Sequence, residues 1–321
     1  MKSRFAARSV SFAMMMAIAG VSCGQQYPSK PIRIVTTEAG GGTDFVARLI
    51  AQGLTASLGQ QVIVDNRGGS AVIPAGVVAQ ASPQGYTLLF FANPLWLLPF
   101  MQERVPYDPV KTFAPIILTH RSPNILVVNS AMPAKSVKEL VALAKAKPGE
   151  LNYATGGLGS SNHLAAELFN AMAAVNTTRL LYKGAGPALT DLISGQVQLM
   201  FATAGSVMPH IKSGRLRALA VTSAEPSPLV PGLVTVASSG LPGYESVAIY
   251  GIFAPDGTPA GVIRRLNQEI ALVLNKSEVK DRLMTSGVEV VAGPPEQLGV
   301  AVKSDMARTG KVIRDAGIRA D

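Results

Sequence analysis

The sequence contains little cysteine, little histidine and little charge. Its 321 residues include one cysteine and three histidines, and Asp, Glu, Lys and Arg together make up 15% of the chain. A single cysteine excludes a disulfide framework and a zinc site built from several cysteines. Because His120, His163 and His210 lie far apart in the sequence, we predict neither a metal site nor a cofactor. With 48% hydrophobic residues the chain can bury a large core, and its length predicts about two domains.

The basic residues do not form a nucleic-acid-binding pattern. The formal net charge is +9, and removal of the N-terminal Lys2, Arg4 and Arg8 leaves +6. The other basic residues are scattered and mixed with acids, and none forms a run flanked by aromatic residues, as single-strand grooves require. We therefore predict no nucleic-acid partner and at most a weak preference for anionic ligands.

The N-terminal segment predicts export. An apolar run at residues 10–20 follows the basic start, and it is too short for a permanent membrane-spanning helix. Small residues come next, so we expect cleavage between Ala19 and about Gln26 and take residues 1–25 as a signal peptide. Cys23 offers lipid attachment as an alternative, but Gly20 stands where lipid-attachment signals usually carry Leu. Either outcome leaves the folded body without a free thiol, which fits an oxidising compartment.

Strand and helix patterns alternate along the chain. A β-branched run at 32–36 leads into a glycine-rich loop and an apolar helical stripe that ends at Gly59. The same order of strand, glycine loop and helix returns at 151–174. Strands are also predicted at 61–65, 86–91, 116–118, 125–129, 178–182, 197–201, 218–222 and 249–254, and helices at 75–81, 137–147, 188–194 and 260–274. The pattern predicts an α/β protein with a mostly parallel sheet, helices on both faces and two similar lobes.

Both glycine loops suit an anion. Residues 40–44 read Gly-Gly-Gly-Thr-Asp and residues 156–163 read Gly-Gly-Leu-Gly-Ser-Ser-Asn-His. Missing side chains let backbone N–H groups approach a ligand, and the following helix start offers unpaired donors and partial positive charge. Thr43 or Asp44 can cap the first helix. Neither loop is a Walker motif or a complete dinucleotide fingerprint, and each alone reads equally well as a turn with a helix cap. Two such loops in two facing lobes favour a ligand cleft.

Enzyme signatures are incomplete. The stretch Gly68-Gly69-Ser70-Ala71-Val72 lacks the closing glycine of a nucleophile elbow. His120, beside Arg121, is interpreted as a surface or hinge residue and His210 as a helix residue, whereas His163 opens a helix without a nucleophile motif nearby. We therefore predict that the protein is not an enzyme. A secreted hydrolase with a dispersed active site and a non-catalytic envelope protein remain the alternatives.

A series of short motifs carries a family resemblance. The segments occur in a fixed order along the mature chain, and they include Tyr27-Pro-Ser-Lys-Pro-Ile-Arg-Ile-Val35, Val64-Asp-Asn-Arg67-Gly68, Gly85-Tyr-Thr-Leu-Leu89, Pro106-Tyr-Asp-Pro109, Tyr182-Lys-Gly184, Gly214-Arg-Leu-Arg-Ala-Leu-Ala220, Leu241-Pro-Gly-Tyr244 and Phe253-Ala-Pro255. This order resembles the Bug family, the periplasmic solute receptors of tripartite tricarboxylate transporters. The resemblance covers essentially the whole mature chain.

The resemblance implies a type II periplasmic-binding-protein fold, with two similar α/β lobes joined by two crossing strands. Residues 26–127 and 231–321 would form lobe 1, and residues 128–230 would form lobe 2. It further implies a monomer in the periplasm that binds a small organic carboxylate between its lobes and delivers it to membrane permease subunits. No catalysis and no cofactor are implied.

The resemblance also assigns the two loops. Gly41, Gly42, Thr43 and Asp44 would hold one carboxylate, partly through water. The second lobe would contribute Gly157, Ser160, Ser161, His163, Lys183 and Gly184. His163 would act either as a neutral hydrogen-bonding group or as a protonated partner of a carboxylate.

Some expected lining positions depart from the family pattern. Thr36-Thr37-Glu38-Ala39 replaces a Pro-Phe-Pro-Pro segment, and Ala202 replaces a common Asp. Phe91 and Trp96 stand where relatives carry small and polar residues, so they would cover a flat ligand such as the aromatic dicarboxylate terephthalate. The alternative is that both rings pack the core of the lobe.

Overall fold

The computed structural model describes residues 27–37, 39–40, 42–68, 70–155, 159–182 and 184–319. The predicted signal peptide lies outside these residues. The described chain forms ten strands: β1 (Ile32–Thr36), β2 (Val62–Asn66), β3 (Thr87–Ala92), β4 (Phe113–Asn129), β5 (Asn152–Thr155), β6 (Thr178–Leu181), β7 (Leu199–Thr203), β8 (Leu216–Val221), β9 (Val247–Pro255) and β10 (Glu289–Val290). It also forms ten helices: α1 (Gly42–Leu58), α2 (Val72–Ala79), α3 (Pro94–Met101), α4 (Val137–Ala146), α5 (Ser161–Ala173), α6 (Ala185–Ser194), α7 (Ala204–Lys212), α8 (Ala260–Leu274), α9 (Ser277–Thr285) and α10 (Pro295–Asp315).

One long strand belongs to both halves of the sheet. The strand order is β2-β1-β3-β9-β4-β7-β5-β6, and β8 and β10 also pair with β4. Residues Phe113–Pro123 of β4 pair with β9, whereas Asn124–Asn129 pair with β7 and β8. We call β1, β2, β3, β9, β10 and the first part of β4 the first half-sheet, and β5 to β8 with the rest of β4 the second half-sheet.

The sheet is mixed, so the prediction of a mostly parallel sheet is wrong at its centre. The outer pairs β1–β2, β1–β3, β5–β6 and β5–β7 are parallel. The central pairs that β4 makes with β7, β8 and β9, and the pair β3–β9, are antiparallel. Because β9 inserts between β3 and β4 after the chain has returned from the second half-sheet, it runs against both neighbours. The predicted strands at 116–118 and 125–129 are parts of the single strand β4.

Helices cover both faces of each half-sheet, which confirms the predicted α/β class. On one face of the first half-sheet, the apolar stripe of α1 packs with Ile34, Phe90 and Ile252. On the other face, Trp96 and Leu97 of α3 pack with Phe253 and with Leu298 of α10. The second half-sheet has two further clusters, one around Tyr153 and Phe169 and one around Leu192 and Val207. This double covering explains the nearly continuous burial of β1 and β4.

The packing bears on where the lobes divide. Val236, Leu241 and Tyr244 pack in the core of the second half-sheet, although the predicted lobe 1 begins again at residue 231. The pairing of β4 changes from β9 to β7 between Pro123 and Asn124, ahead of the predicted boundary at residue 127. We propose that the chain divides near residues 123 and 246 instead.

Candidate functional site

A cavity of about 910 Å³ is lined by both half-sheets. From the first half-sheet, Thr37 follows β1, Thr43 lies in the first turn of α1, and Phe91 lies near the end of β3. From the second half-sheet, Ser160 and Ser161 lie at the start of α5. The cavity therefore lies at the carboxyl ends of the parallel strands, the edge at which ligands bind in open α/β sheets.

The loop before α1 is held by Asp44. This side chain is 5% exposed, and its Oδ2 accepts the Gly40 N–H at 2.9 Å and the Arg48 Nε–H at 3.1 Å. Its Oδ1 accepts Nδ2 of Asn66 at 2.9 Å. Burial alone would raise the pKa of the Asp44 carboxyl, but the hydrogen bonds from Arg48, Gly40 and Asn66 outweigh it and hold the pKa below its usual value. Asp44 thus stabilises its own loop as an anion.

The loop before α5 is held by His163. The Gly159 N–H donates to His163 Nδ1 at 3.0 Å, and the imidazole is fully buried. Its Nε2 lies 3.4 Å from Glu167 Oε1, which in turn accepts the Tyr153 hydroxyl at 2.5 Å. The Ser160 hydroxyl caps α5 by accepting the His163 N–H at 3.3 Å. His163 Nδ1 therefore supports this loop as a hydrogen-bond acceptor, and Arg179 Nη1 lies 3.0 Å from Nε2 on the other side of the ring.

The structure brings five of the predicted site residues to one place. Thr43, Phe91, Ser160 and Ser161 line the cavity, and the exposed Gly42 begins α1 next to Thr43. Gly184 is the N-cap of α6, with φ at 116°, and its neighbours Leu181 and Tyr182 line the cavity. The predicted residues Gly41, Gly157 and Lys183 lie outside the described residues.

Four predicted site residues are placed away from the cavity wall. Trp96 is fully buried and donates its indole N–H to Asp305 Oδ2 at 2.7 Å, so the core-packing alternative describes it. Ala202 is 1% exposed and packs in a core cluster of the second half-sheet. Asp44 and His163 face inward because each accepts a backbone N–H of its own loop. None of these four side chains lines the cavity, and their direct ligand role stays a prediction.

The cavity wall is polar at the loops and apolar between them. Among the described residues that line it, Asp305 is the one charged side chain, and it accepts hydrogen bonds from Asn93 Nδ2 at 2.6 Å and from the Thr309 hydroxyl at 2.7 Å. The apolar part comes mainly from α3 and α5, with Leu97, Leu98, Met101 and Leu164. The described lining therefore offers hydroxyl groups and helix N-termini to an anion, and it contains no basic side chain.

Sequence reasoning missed the contributions of α3, β9 and α10. Pro94 at the first position of an apolar block is a helix-start signal, but Pro99 inside the same block argued against a helix. Tyr250 of β9 and Asp305 of α10 line the cavity although they are distant in sequence from both glycine loops. No sequence signal that we used connects these segments to the loops.

Metal sites and membrane-spanning helices are two further features to consider in the described residues. In the part of the chain that the structure describes, no cluster of three or more His, Cys, Asp or Glu side chains could hold a metal ion. None of the helices in that part combines the length and the apolar character that crossing a membrane requires.

Comparisons with known proteins relate the whole chain to one family. Residues 46–318 match the sequence model described as Tripartite tricarboxylate transporter family receptor. A UPF0065 protein from the tcbD-tcbE intergenic region of Pseudomonas sp. (strain P51) is 38% identical over 92% of this chain and 89% of its own length. Protein BugT of Bordetella pertussis (strain Tohama I) is 34% identical over 95% of this chain and 96% of its own length.

Solved structures give the same relationship. An R. palustris protein determined with adipate has a TM-score of 0.75 and 35% identity, and the match covers 91% of this chain and 99% of that one. The periplasmic binding protein BugD has a TM-score of 0.73 and 32% identity, with 92% and 100% covered. MatC from Rhodopseudomonas palustris with bound malate has a TM-score of 0.72 and 31% identity, with 89% and 100% covered. With the two-loop cavity, these matches show that the chain belongs to the Bug family of solute-binding receptors of tripartite tricarboxylate transporters.

Proposed function

We propose that the protein is a monomeric periplasmic receptor that binds a small organic carboxylate in the cavity and delivers it to the membrane permease subunits of a tripartite transporter. The observation that supports this most directly is the meeting of Thr43, Ser160 and Ser161 on one cavity, with the N-termini of α1 and α5 beside them. Helix N-termini and hydroxyl groups are suited to an anion. Two related receptors, solved with adipate and with malate, support the same ligand class.

The lining favours a ligand that has an apolar body between polar ends. Leu97, Met101 and Leu164 form an apolar wall, and Phe91 adds an aromatic ring that is 4% exposed. A dicarboxylate with a carbon chain or a flat ring would place that body against the wall. An aromatic dicarboxylate such as terephthalate therefore remains part of the proposal, and it now depends on Phe91 and not on Trp96.

A thermal-shift and calorimetry screen tests the proposal. The panel consists of adipate, malate, succinate, citrate, benzoate and terephthalate, each at millimolar concentration, with adipamide and terephthalamide as uncharged controls of nearly the same shape. A ligand at 100 times its Kd raises the free energy of unfolding by about 2.7 kcal/mol, which gives a clear rise in Tm. We expect this rise with at least one dicarboxylate and not with its diamide.

The opposite result would favour one of the alternatives. If no carboxylate changes Tm or produces heat, and the purified protein hydrolyses an ester or an amide, the hydrolase alternative takes the place of the receptor. If neither binding nor turnover is found, the envelope-protein alternative gains support. Delivery to a permease is tested separately, because uptake of the identified ligand by cells should require both this receptor and the permease.

A further inference from the structure

Tyr250 differs from the other tyrosines of the chain in the state of its hydroxyl group. The chain has seven tyrosines. The hydroxyl groups of six of them have hydrogen-bond partners within the protein: Tyr27 with Gly85, Tyr86 with Ser29, Tyr107 with Leu95, Tyr153 with Glu167, Tyr182 with Asp191 and Tyr244 with Ala165. The Tyr250 hydroxyl has no partner among the described residues, and Tyr250 lines the cavity. A cavity-lining residue thus carries a hydroxyl group that is left for another molecule.

A bulge in β4 lies directly opposite Tyr250 of β9. His120 pairs with Tyr250 and Leu118 pairs with Gly251, so Thr119 is the extra residue between them. Such bulges redirect side chains and occur frequently beside functional sites. The Thr119 hydroxyl donates to the Tyr250 carbonyl oxygen at 3.0 Å. This hydrogen bond links β4 to β9 at the point where the bulge interrupts their backbone hydrogen bonds. On the next residue, a side chain at Gly251 would collide with Leu298, which fixes this part of β9 against α10.

The buried imidazole of His120 supports the ring from behind. The two rings are stacked, with their centroids 4.2 Å apart and an angle of 14° between their planes. Phe90 packs near both rings, with its ring centroid 6.0 Å from that of His120 and 6.5 Å from that of Tyr250. Burial lowers the pKa of His120 to about 3, so the imidazole is neutral at physiological pH and the stack does not depend on titration there. His120 is 2% exposed, which corrects its interpretation as a surface residue.

The Tyr250 side chain is half-buried on the cavity wall, so a ligand that displaces water from the cavity would leave the hydroxyl unpaired unless the ligand accepts its hydrogen bond. Leaving a desolvated donor without a partner loses more free energy than a typical hydrogen bond contributes. A tyrosine O–H donates well to a carboxylate oxygen, and hydrogen bonds to ionised acceptors are stronger than neutral ones. A site built around such a donor rejects analogues that lack the accepting oxygen, because the donor is then left unpaired.

We propose that Tyr250 is a specificity-determining residue whose hydroxyl donates a hydrogen bond to a carboxylate oxygen of the ligand, and that His120 is a positioning residue for its ring. This inference rests on the proposed carboxylate-receptor function. It adds a contact from the central strand β9, separate from the two glycine loops.

The test compares two tyrosines on the same cavity. Tyr250→Phe removes only the unpartnered hydroxyl and keeps the stacked ring. Tyr182→Phe is the matched control, because Tyr182 also lines the cavity but donates its hydroxyl to Asp191 at 2.9 Å. The probe is whichever of adipate, malate and terephthalate binds the wild-type protein most tightly in calorimetry. We expect Tyr250→Phe to weaken this binding at least tenfold, with an unchanged Tm in the absence of ligand, and Tyr182→Phe to change the affinity less than twofold.

The outcomes separate this inference from the proposed function. If the wild type binds a probe and Tyr250→Phe binds it within twofold, the role of Tyr250 is overturned while the receptor function stands. If the wild type binds none of the three probes, the comparison is made with whichever other carboxylate of the screen binds, and if none of the six binds, both proposals fail.

The role of His120 is tested by a double-mutant cycle. His120→Leu should weaken binding in the wild-type background and have no further effect in the Tyr250→Phe background. Equal losses of affinity in the two backgrounds would mean that His120 acts independently of the Tyr250 hydroxyl, which would overturn its positioning role. If His120→Leu does not fold, His120→Phe, which keeps an aromatic ring, serves in the same cycle.

Discussion

The loop before α1 is held by a carboxylate, whereas the loop before α5 is held by an imidazole. Asp44 accepts the Gly40 N–H, and it also binds Arg48 and Asn66. His163 accepts the Gly159 N–H, and it is backed by Glu167. Two loops with similar glycine patterns therefore use different acceptors, a carboxylate and an imidazole. Each acceptor binds one backbone N–H of its own loop and so keeps it from pointing into the cavity.

This difference has an electrostatic consequence for an anionic ligand. The first turn of α1 carries the ionised Asp44, while the first turn of α5 carries no acidic residue. A carboxylate at the N-terminus of α1 approaches a fixed negative charge that Arg48 only partly offsets. At α5 the partial positive charge of the helix is available to the ligand. We infer that the α5 loop contributes more of the anion affinity than the α1 loop.

The largest effect is expected from removing the carboxylate anchor. Asp44→Ala removes the acceptor of the Gly40 N–H and one of the two acceptors of the half-buried Asn66 amide, and it leaves Arg48 without its carboxylate partner. We expect a loss of about 3 kcal/mol in the free energy of unfolding, measured by urea denaturation. The exposed Asp108→Ala is the control, since its carboxylate caps only a surface turn. A loss of under about 1 kcal/mol would show that the loop does not depend on Asp44.

The second-largest effect is expected from removing the imidazole of His163. His163→Leu keeps the apolar volume but leaves the Gly159 N–H without its acceptor, and we expect a loss of about 2 kcal/mol in stability. His163→Gln retains an oxygen acceptor and should recover part of it. If both variants lose the same amount, the Gly159 contact is not what stabilises this loop.

Adding a side chain at the start of α1 tests the backbone approach of the ligand. A Cβ at Gly42 would meet nothing within 4 Å, so Gly42→Val should fold normally. We expect it to weaken ligand binding at least tenfold, or about 1.4 kcal/mol, because the added methyl groups keep the ligand from the helix N–H donors. Calorimetry gives the affinity. An unchanged Kd would mean that this loop is a turn and not a binding element.

Removing one hydroxyl group from each loop should have a smaller effect on ligand affinity, and it compares the two loops directly. Thr43→Ala and Ser161→Ala each remove one hydroxyl from the cavity wall, and we expect each to lose about 1 kcal/mol of binding free energy. Because no acid lies in the first turn of α5, Ser161→Ala should lose more than Thr43→Ala. Both variants should retain the wild-type Tm. The reverse order of affinities would contradict the electrostatic difference between the loops.

The smallest effect is the dependence of stability on pH. The pKa of Asp44 lies below its unfolded value, so its ionised form stabilises the fold above that value. This contribution is lost as the pH falls through the lowered folded pKa, below about 4. The free energy of unfolding, measured in urea at pH 3 and at pH 6, should therefore differ less between the two pH values for Asp44→Asn than for the wild type. Equal differences would mean that other carboxyl groups cause the loss of stability at low pH.

The sequence predicted the helices that have a regular apolar face and a clear signal at their C-terminal end. The helix α8 was predicted at its observed bounds, and α1 was predicted to its end at Leu58, because both have a regular apolar stripe. The helix α3 was missed because it is apolar on all sides and contains Pro99. Uniform apolarity removes the periodic signal by which a helix is recognised.

The site was predictable only where its residues are local in sequence. Both loops could be found because each combines glycines, a hydroxyl residue and a helix start within a few positions. The true role of Trp96 depends on a hydrogen bond to Asp305, which is 209 residues away. Asp44 and His163 were assigned to the ligand by the family resemblance, while the backbone N–H that each accepts lies only four residues before it. Local pattern identified the loops, but it did not tell which side chains face inward.

The insertion of β9 between β3 and β4 has a consequence for how the chain folds. The first half-sheet is incomplete until residues Val247–Pro255 have been synthesised, more than a hundred residues after β4. Contacts between such distant segments slow folding, because loop closure must precede the pairing that stabilises it. Since β4 is hydrogen-bonded in both half-sheets, its amides should exchange with solvent through global unfolding alone, and equilibrium unfolding should follow a single cooperative transition.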